Sequence, residues 1–178
     1  MWDVQSGDPV GAPWLASGGD GVICSSLAFS PDGKKLATGN YGGVVMLWDV
    51  ATARPNSRLA RHTDPVSGVA FSPDGRLLAS SSFDGTVIFW DAATGRQVGE
   101  PLRGHTGPVN AVAFSPDGKT LVSVGDDRRV MRWDVDLVSW TEQACAIANR
   151  PLTPEEWRQI LPNRAYHETC PAAKPGQP

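Results

Sequence analysis

The chain has 178 residues, 40% of them hydrophobic and 20% charged, with a formal net charge of −3. That apolar content can bury a core, which sets the chain apart from a disordered polymer, and the length suits one domain with an appendage. The acidic balance argues against nucleic acid as a partner, because phosphate binding needs clustered Lys and Arg and the longest basic runs here are Lys34-Lys35 and Arg128-Arg129.

No apolar run approaches the roughly 20 residues needed to cross a bilayer, and no basic segment followed by an apolar stretch marks a secretion signal. A cytoplasmic protein without a membrane partner is the expectation. Cys24, Cys145 and Cys170 are too few and scattered for a disulfide framework, and no CxxC or HExxH spacing suggests a metal. Cys24, in an apolar strand-like run, reads as a small core residue. Cys145 and Cys170 lie together near the end and could pair, although a reducing compartment favours free thiols. No phosphate-cradling GxxxxGK[ST] appears and the Asp-rich turns lack calcium-loop spacing, so no cofactor is expected.

In chain order, the first letters pose a problem. MWDV at residues 1–4 resembles LWDV, FWDA and RWDV, where Trp48, Trp90 and Trp133 each close a strand-like run. Residues 1–15 therefore read as the third and fourth strands of a truncated blade, GAPWLAS with Trp14 supplying the fourth. AFSPDG then starts at Ala28, Ala70 and Ala113, intervals of 42 and 43, and the three later Trp-Asp pairs keep step with it. In every unit the Phe of FSPDG (Phe29, Phe71, Phe114) precedes the Trp by 19 residues, which confines insertions to the connections and calls for repeat architecture.

Within the second unit, PVSGVAFS alternates apolar with small or polar residues, and SPDG is a tight turn in which Pro presets one torsion and Gly accepts positive φ. RLLASSS is a second strand, FDG a second turn, and TVIFWDA a third strand suited to a buried pleated surface. ATGRQ turns into VGEPLRG, a fourth strand whose Pro is tolerable only at an edge. Such units predict an all-β chain in which four-stranded blades pack side by side as a partial β-propeller. The units span 16–60, 61–103 and 104–135, the last without its own fourth strand. A β-sandwich would not repeat its turns in register, and a helical solenoid would need a 3.6-residue period.

GHTGPVNAVAFSPDGKTLVSVGDDRRVMRWDV resembles a WD repeat, and the resemblance covers residues 16–135. It implies a hydrogen-bonded tetrad of loop His, second-strand Ser or Thr, turn Asp and third-strand Trp. The matching positions are His62, Ser80, Asp84 and Trp90, then His105, Ser123, Asp127 and Trp133. The first unit keeps Thr38 and Trp48 but has Asp20 in the His slot and Gly42 in the Asp slot, so a degraded tetrad and the softest blade are expected there. A hydrolase triad from the same His, Ser and Asp is the weaker reading, because the trio recurs with the fold and no GxSxG elbow accompanies it. No catalytic residue is assigned. His167 and Cys170 lack a third orienting group.

The resemblance also implies that the turns before the third strand and the loops before the first share one face and bind proteins or peptides. Tyr41 and Phe83 occupy equivalent turns there, and Asp64, Asn110 and Asp126 share the rim. After Val135 a helical cap over 136–171 is expected. Ser139 to Glu142 is a capping box, Trp140, Ala144, Ile147 and Ala148 share a helical face, and Thr153-Pro154-Glu155-Glu156 starts a second helix ending near Leu161. PAAKPGQP, residues 172–178, reads as a disordered tail. ACAIANRPLTPEEWRQILP and YHETCP resemble the end of WD-repeat regions in bacterial STAND-class NTPases and related multidomain signalling proteins.

The expected function is accordingly a non-enzymatic interaction scaffold at the C-terminal end of a larger bacterial signalling protein. The alternative is a regulatory fragment of an NTPase, kinase or protease encoded upstream. The orphan fourth strand at one end and the vacant position at the other read first as a fragment of a longer protein, split or given an internal start; the other reading is a head-to-tail homodimer by strand exchange.

Overall fold

The computed structural model describes residues 4–8, 22–136 and 153–155. Eleven strands follow in chain order: β1 Cys24–Phe29, β2 Lys35–Asn40, β3 Val44–Asp49, β4 Arg54–Ala60, β5 Val66–Phe71, β6 Leu77–Ser82, β7 Val87–Asp91, β8 Gln97–Leu102, β9 Val109–Phe114, β10 Thr120–Gly125 and β11 Val130–Asp134. They form three antiparallel sheets, β1-β2-β3-β4, β5-β6-β7-β8 and β9-β10-β11. Pro101 lies on β8, the outer edge of the second sheet, where a residue without an N–H removes no ladder bond.

The SPDG turns explain why strands one and two pair in the same register each time. In the first, Ser30 Oγ donates to Asp32 Oδ1 at 2.6 Å and accepts from Lys35 N at 2.9 Å, while Asp32 Oδ1 accepts from Lys34 N at 3.1 Å. Ser72 with Asp74 and Ser115 with Asp117 repeat these bonds. Gly33, Gly75 and Gly118 sit at φ 68°, 70° and 71°, a conformation glycine reaches without a Cβ penalty. The turn is a side-chain clasp set by four residues, independent of the strands beyond it.

Apolar seams join the sheets. Ala37, Val45, Leu47 and Leu59 of the first sheet pack on Val66, Val69, Leu78, Ile88 and Trp90 of the second. Ala79, Val87 and Phe89 on the opposite face of the second sheet pack on Val109, Leu121 and Val135, with Phe89 and Phe114 at 6.1 Å between ring centroids. Burying each such side chain is worth about 1.5–3 kcal/mol, so the stack is held mainly by its seams. Polar clamps set the register of the inner strands: Ser25 Oγ donates to Val66 O, and Ser67 Oγ donates to Val109 O at 2.5 Å.

The truncated-blade strands expected over 1–15 fall largely outside the described residues, and Val4–Ser6 form a turn. Of the helical cap only residues 153–155 are described, with Pro154 and Glu155 helical; the rest of it, the final tract, and Cys145, His167 and Cys170 lie outside. Cys24 corrects the sequence reading. It lies on β1 but is exposed, because burial at its position comes from a preceding sheet, and no described sheet precedes β1.

Candidate functional site

Each tetrad is carried by four separate elements: the loop before a first strand, a second strand, the turn into a third strand, and that third strand itself. In the second sheet Trp90 Nε1 donates to Ser80 Oγ at 2.8 Å, Ser80 Oγ lies 2.8 Å from His62 Nε2, and His62 Nδ1 lies 2.9 Å from Asp84 Oδ2. The directions follow from donor inventory. The indole can only donate, so the hydroxyl hydrogen of Ser80 is available for His62 Nε2, and the imidazole then donates from Nδ1 to the carboxylate. Asp84 also accepts from Thr63 N at 3.1 Å, Thr86 N at 2.9 Å and Thr86 Oγ1 at 2.6 Å. One carboxylate thus ties the loop before β5 to the turn before β7.

The third sheet repeats the arrangement. Trp133 Nε1 donates to Ser123 Oγ at 2.8 Å, His105 Nε2 stands 2.8 Å from Ser123 Oγ, and His105 Nδ1 stands 3.0 Å from both Asp127 oxygens. Burial holds the His62 imidazole below its ordinary value of 6.5, with Asp84 offsetting part of the effect. Burial pushes the Asp84 carboxyl up, but the bonds from Thr86 and His62 outweigh it and hold the group below the usual carboxylate value. Asp127 follows the same balance, with His105 and the Thr106 and Arg129 amides as donors. The charge state is a neutral imidazole beside an ionised carboxylate at His62 and Asp84.

This geometry is closed to substrate. Ser80 and Ser123 have no exposed surface, and both ring nitrogens of each histidine are engaged within the tetrad. The order Ser to His to Asp is the one a nucleophilic triad uses, but a nucleophile also needs an approach path, and with both hydroxyls fully buried neither trio has one. Among the described residues, no three His, Cys, Asp or Glu side chains are grouped to hold a metal ion, and no helix is long and apolar enough to cross a membrane.

Among the described residues the first sheet holds one link of the chain, Trp48 Nε1 to Thr38 Oγ1 at 3.0 Å. Asp20 lies outside the described residues, and Gly42 brings no side chain to its slot. Sequence reasoning missed the substitute. Asn40 Oδ1 accepts from Gly42 N and Val44 N, both at 3.0 Å. By the repeat, these amides match Asp84 N and Thr86 N, which in the second sheet need two acceptors, Ser82 Oγ and Asp84 Oδ1. The signal was available in the repeat offset, since Asn40 stands 42 residues before Ser82. Also unassigned was the Asp of each Trp-Asp pair. Asp49 Oδ1 accepts from Thr52 N and Oγ1 at 2.8 Å, and Asp91 Oδ1 does the same for Thr94 at 2.7 and 2.8 Å. These bonds close the turn into the fourth strand.

The rim residues gather above the tetrads. Tyr41 N donates to Ile23 O at 3.0 Å, Phe83 N to Pro65 O at 3.0 Å and Asp126 N to Pro108 O at 2.9 Å. Each turn before a third strand is thereby pinned to the chain entering the first strand of its own sheet. Tyr41 and Phe83 remain 53% and 42% exposed, so their backbones are fixed while their rings face solvent. A Cβ added at Gly43 would come within 3.1 Å of Asp64 O, which places the Tyr41 turn against the Asp64 loop. Asn110 Nδ2 donates to Asp126 Oδ1 at 2.6 Å, both residues exposed.

Three segments of the chain, residues 23–49, 53–91 and 95–134, match the WD domain, G-beta repeat. The chain belongs to the WD40 family. The matched segments of this WD40 chain end at the Trp-Asp strands, and the later two begin with β4 or β8. A WD40 sequence unit therefore supplies the outer strand of one sheet and three strands of the next. Among solved structures, "Structure of U3-55K" and "Crystal structure of RRP9 WD40 repeats" are each similar at 25% identity, with TM-score 0.63 over 66% of this chain and 37% of theirs. The chain thus spans just over a third of the length of these structural relatives. No curated protein matches it.

Proposed function

We propose that the chain is a non-catalytic docking module that binds a protein or peptide across the rim carrying Tyr41, Phe83, Asp64, Asn110 and Asp126. One observation carries the reading: two aromatic residues at equivalent turns of adjacent sheets are held by backbone bonds to Ile23 and Pro65 and still expose their rings. Fixed aromatic rings give contact area at little entropic cost, and such residues dominate binding energy at interfaces. Membership of the WD40 family supports the same class of function, because its scaffolds act by displaying loops.

The wider setting is part of the proposal. The similarity of residues 137–171 to the end of bacterial STAND-class proteins supports a cytoplasmic sensor or docking role in a larger signalling protein. The net charge of −3 favours protein over nucleic acid as the ligand. Affinity capture with the full chain tests the site. Tyr41→Ala with Phe83→Ala should reduce capture of a partner at least about tenfold while leaving the thermal midpoint within a few degrees. Undiminished capture by the double variant would contradict the assignment of this rim, and loss of folding by the variant would show the rings to be structural.

A further inference from the structure

The loop before β5 meets both aromatic turns of the rim. On its own sheet, Ser82 Oγ donates to Asp64 O at 3.0 Å and Phe83 N donates to Pro65 O at 3.0 Å. On its other side stands the Tyr41 turn of the first sheet. A Cβ added at Gly43 would come within 2.7 Å of His62 O and 3.1 Å of Asp64 O, too close for a real side chain, so the glycine backbone is seated directly on the loop. Gly43 also holds φ 73°, which glycine reaches without a Cβ penalty. Residues 62–65 therefore stand between two turns that belong to different sheets, and Tyr41 lies two residues from the contact.

The loop is held in turn by Asp84, whose two carboxylate oxygens serve different segments. Oδ1 serves its own turn, accepting from Thr86 N at 2.9 Å and Thr86 Oγ1 at 2.6 Å. Oδ2 serves the loop, accepting from His62 Nδ1 at 2.9 Å and Thr63 N at 3.1 Å. Two backbone N–H groups of fixed direction, one from each segment, thus converge on a single side chain. A carboxylate offers both an acceptor; a carboxamide has one acceptor oxygen and puts an NH2 group where the other stood. His62 closes the far end of the loop, with Nε2 2.8 Å from Ser80 Oγ on β6. Gly42, in the slot of Asp84, brings no carboxylate to the Tyr41 turn.

We propose that Asp84 is a positioning residue for Tyr41: through Thr63 and His62 it fixes the loop on which Gly43 is seated, and so sets the spacing of the Tyr41 and Phe83 rings across a sheet boundary. A tetrad then supports two turns, its own and that of the preceding sheet. The third sheet repeats the offset. Asp127 Oδ1 accepts from Arg129 N at 3.0 Å and Oδ2 from Thr106 N at 3.1 Å, and a Cβ added at Gly85 would meet Gly107 O at 3.4 Å and His105 O at 3.9 Å. That loop backs the Phe83 turn, whereas the Tyr41 turn rests on the loop one sheet earlier. The effect of Asp84 on binding rests on the rim being the docking site; its effect on the place of Tyr41 does not. Where the rim docks a partner, a loosened ring lowers affinity, because it must be ordered at the moment of binding.

Fluorine NMR on the full chain labelled with 3-fluorotyrosine tests this without a partner. The chain has two tyrosines, and Tyr166→Phe leaves Tyr41 as the single label. Asp84→Asn should shift or broaden the Tyr41 resonance beyond its wild-type line width. Asp127→Asn, which breaks the equivalent bonds in the third sheet, should leave that resonance in place. Circular dichroism checks that each variant is folded; if Asp84→Asn is not, His62→Gln alters the same loop link from its other end and should move the same resonance. An unmoved Tyr41 signal in the folded variant would overturn the proposal. So would equal movement in Asp84→Asn and Asp127→Asn, because a network that only stabilises its own sheet reaches Tyr41 through global stability alone. Failure of the rim as a docking site shows separately, as undiminished capture by the double Tyr41→Ala, Phe83→Ala variant with the fluorine result as expected.

Discussion

The second and third sheets carry the same hydrogen-bonded tetrad at the same offsets, yet they differ in how much of them is buried. Trp90 is 2% exposed and Phe89 4% exposed between two neighbouring sheets. In the third sheet Trp133 is half-buried, and Arg132 and Val130, at the Phe89 and Val87 positions, are exposed. The local network is therefore a property of one repeat, whereas burial is a property of two adjacent repeats. A tetrad pins the turns of its own sheet but does not anchor that sheet to the stack. Seam contacts do that, and among the described residues the middle sheet packs against a neighbouring sheet on both faces.

The largest expected effect separates these contributions. Trp90→Ala removes an indole packed in the first seam and should cost about 3–5 kcal/mol, while Trp133→Ala, which breaks the same hydrogen bond with less burial lost, should cost about 1–3 kcal/mol. Urea titrations of both variants check the order. Equal losses would mean that the hydrogen bond, not the seam, sets the stability. A middle-sized effect concerns the first sheet. Asn40→Ala leaves the Gly42 and Val44 amides without their acceptor and should cost about 1–2 kcal/mol. A neutral outcome in the same titration would remove Asn40 from the list of structural substitutes for the missing carboxylate.

The smallest effect is pH-dependent and distinguishes the tetrads from the seams. The His62 pKa is lower in the folded chain than its ordinary 6.5, so the unfolded chain binds the extra proton first as pH falls. Its contribution is fully present above about pH 6.5 and declines as pH drops toward the folded value. Protonation also turns Nε2 from an acceptor into a donor, which forces the Ser80 hydroxyl away from the ring toward Ile88 O, 3.5 Å distant. The urea midpoint of the wild type should fall between about pH 8 and pH 5, and His62→Gln should flatten that part of the profile. Asp84 acts in the opposite range: its lowered pKa gives stability present above 3.8 and lost as pH falls through the folded value.

Much of the fold was legible because the 42- and 43-residue intervals place turn residues in step. SPDG encodes its own clasp within a few residues, and the His, Ser, Asp and Trp offsets point to groups that the strands bring within 3.0 Å of one another in both complete sets. What escaped the sequence depends on neighbours. Cys24 looks like a core residue from its local apolar run, but its burial requires a sheet on the far side of β1. Arg128 gives no local sign that it adopts φ 63°; only its alignment with Gly43 and Gly85 discloses a left-handed turn position. Asn40 was hidden because it solves from the Ser82 slot a problem that the other sheets solve with Asp.

Amide hydrogen exchange on the dilute, monomeric chain tests most directly whether seams rather than tetrads govern the stack. The amides of β6 and β7, enclosed on both faces, should exchange at least about tenfold more slowly than those of β10 and β11, which belong to an equally complete tetrad but meet one seam among the described residues. Equal protection in the two sheets would contradict the account and assign the stability to the hydrogen-bonded tetrads.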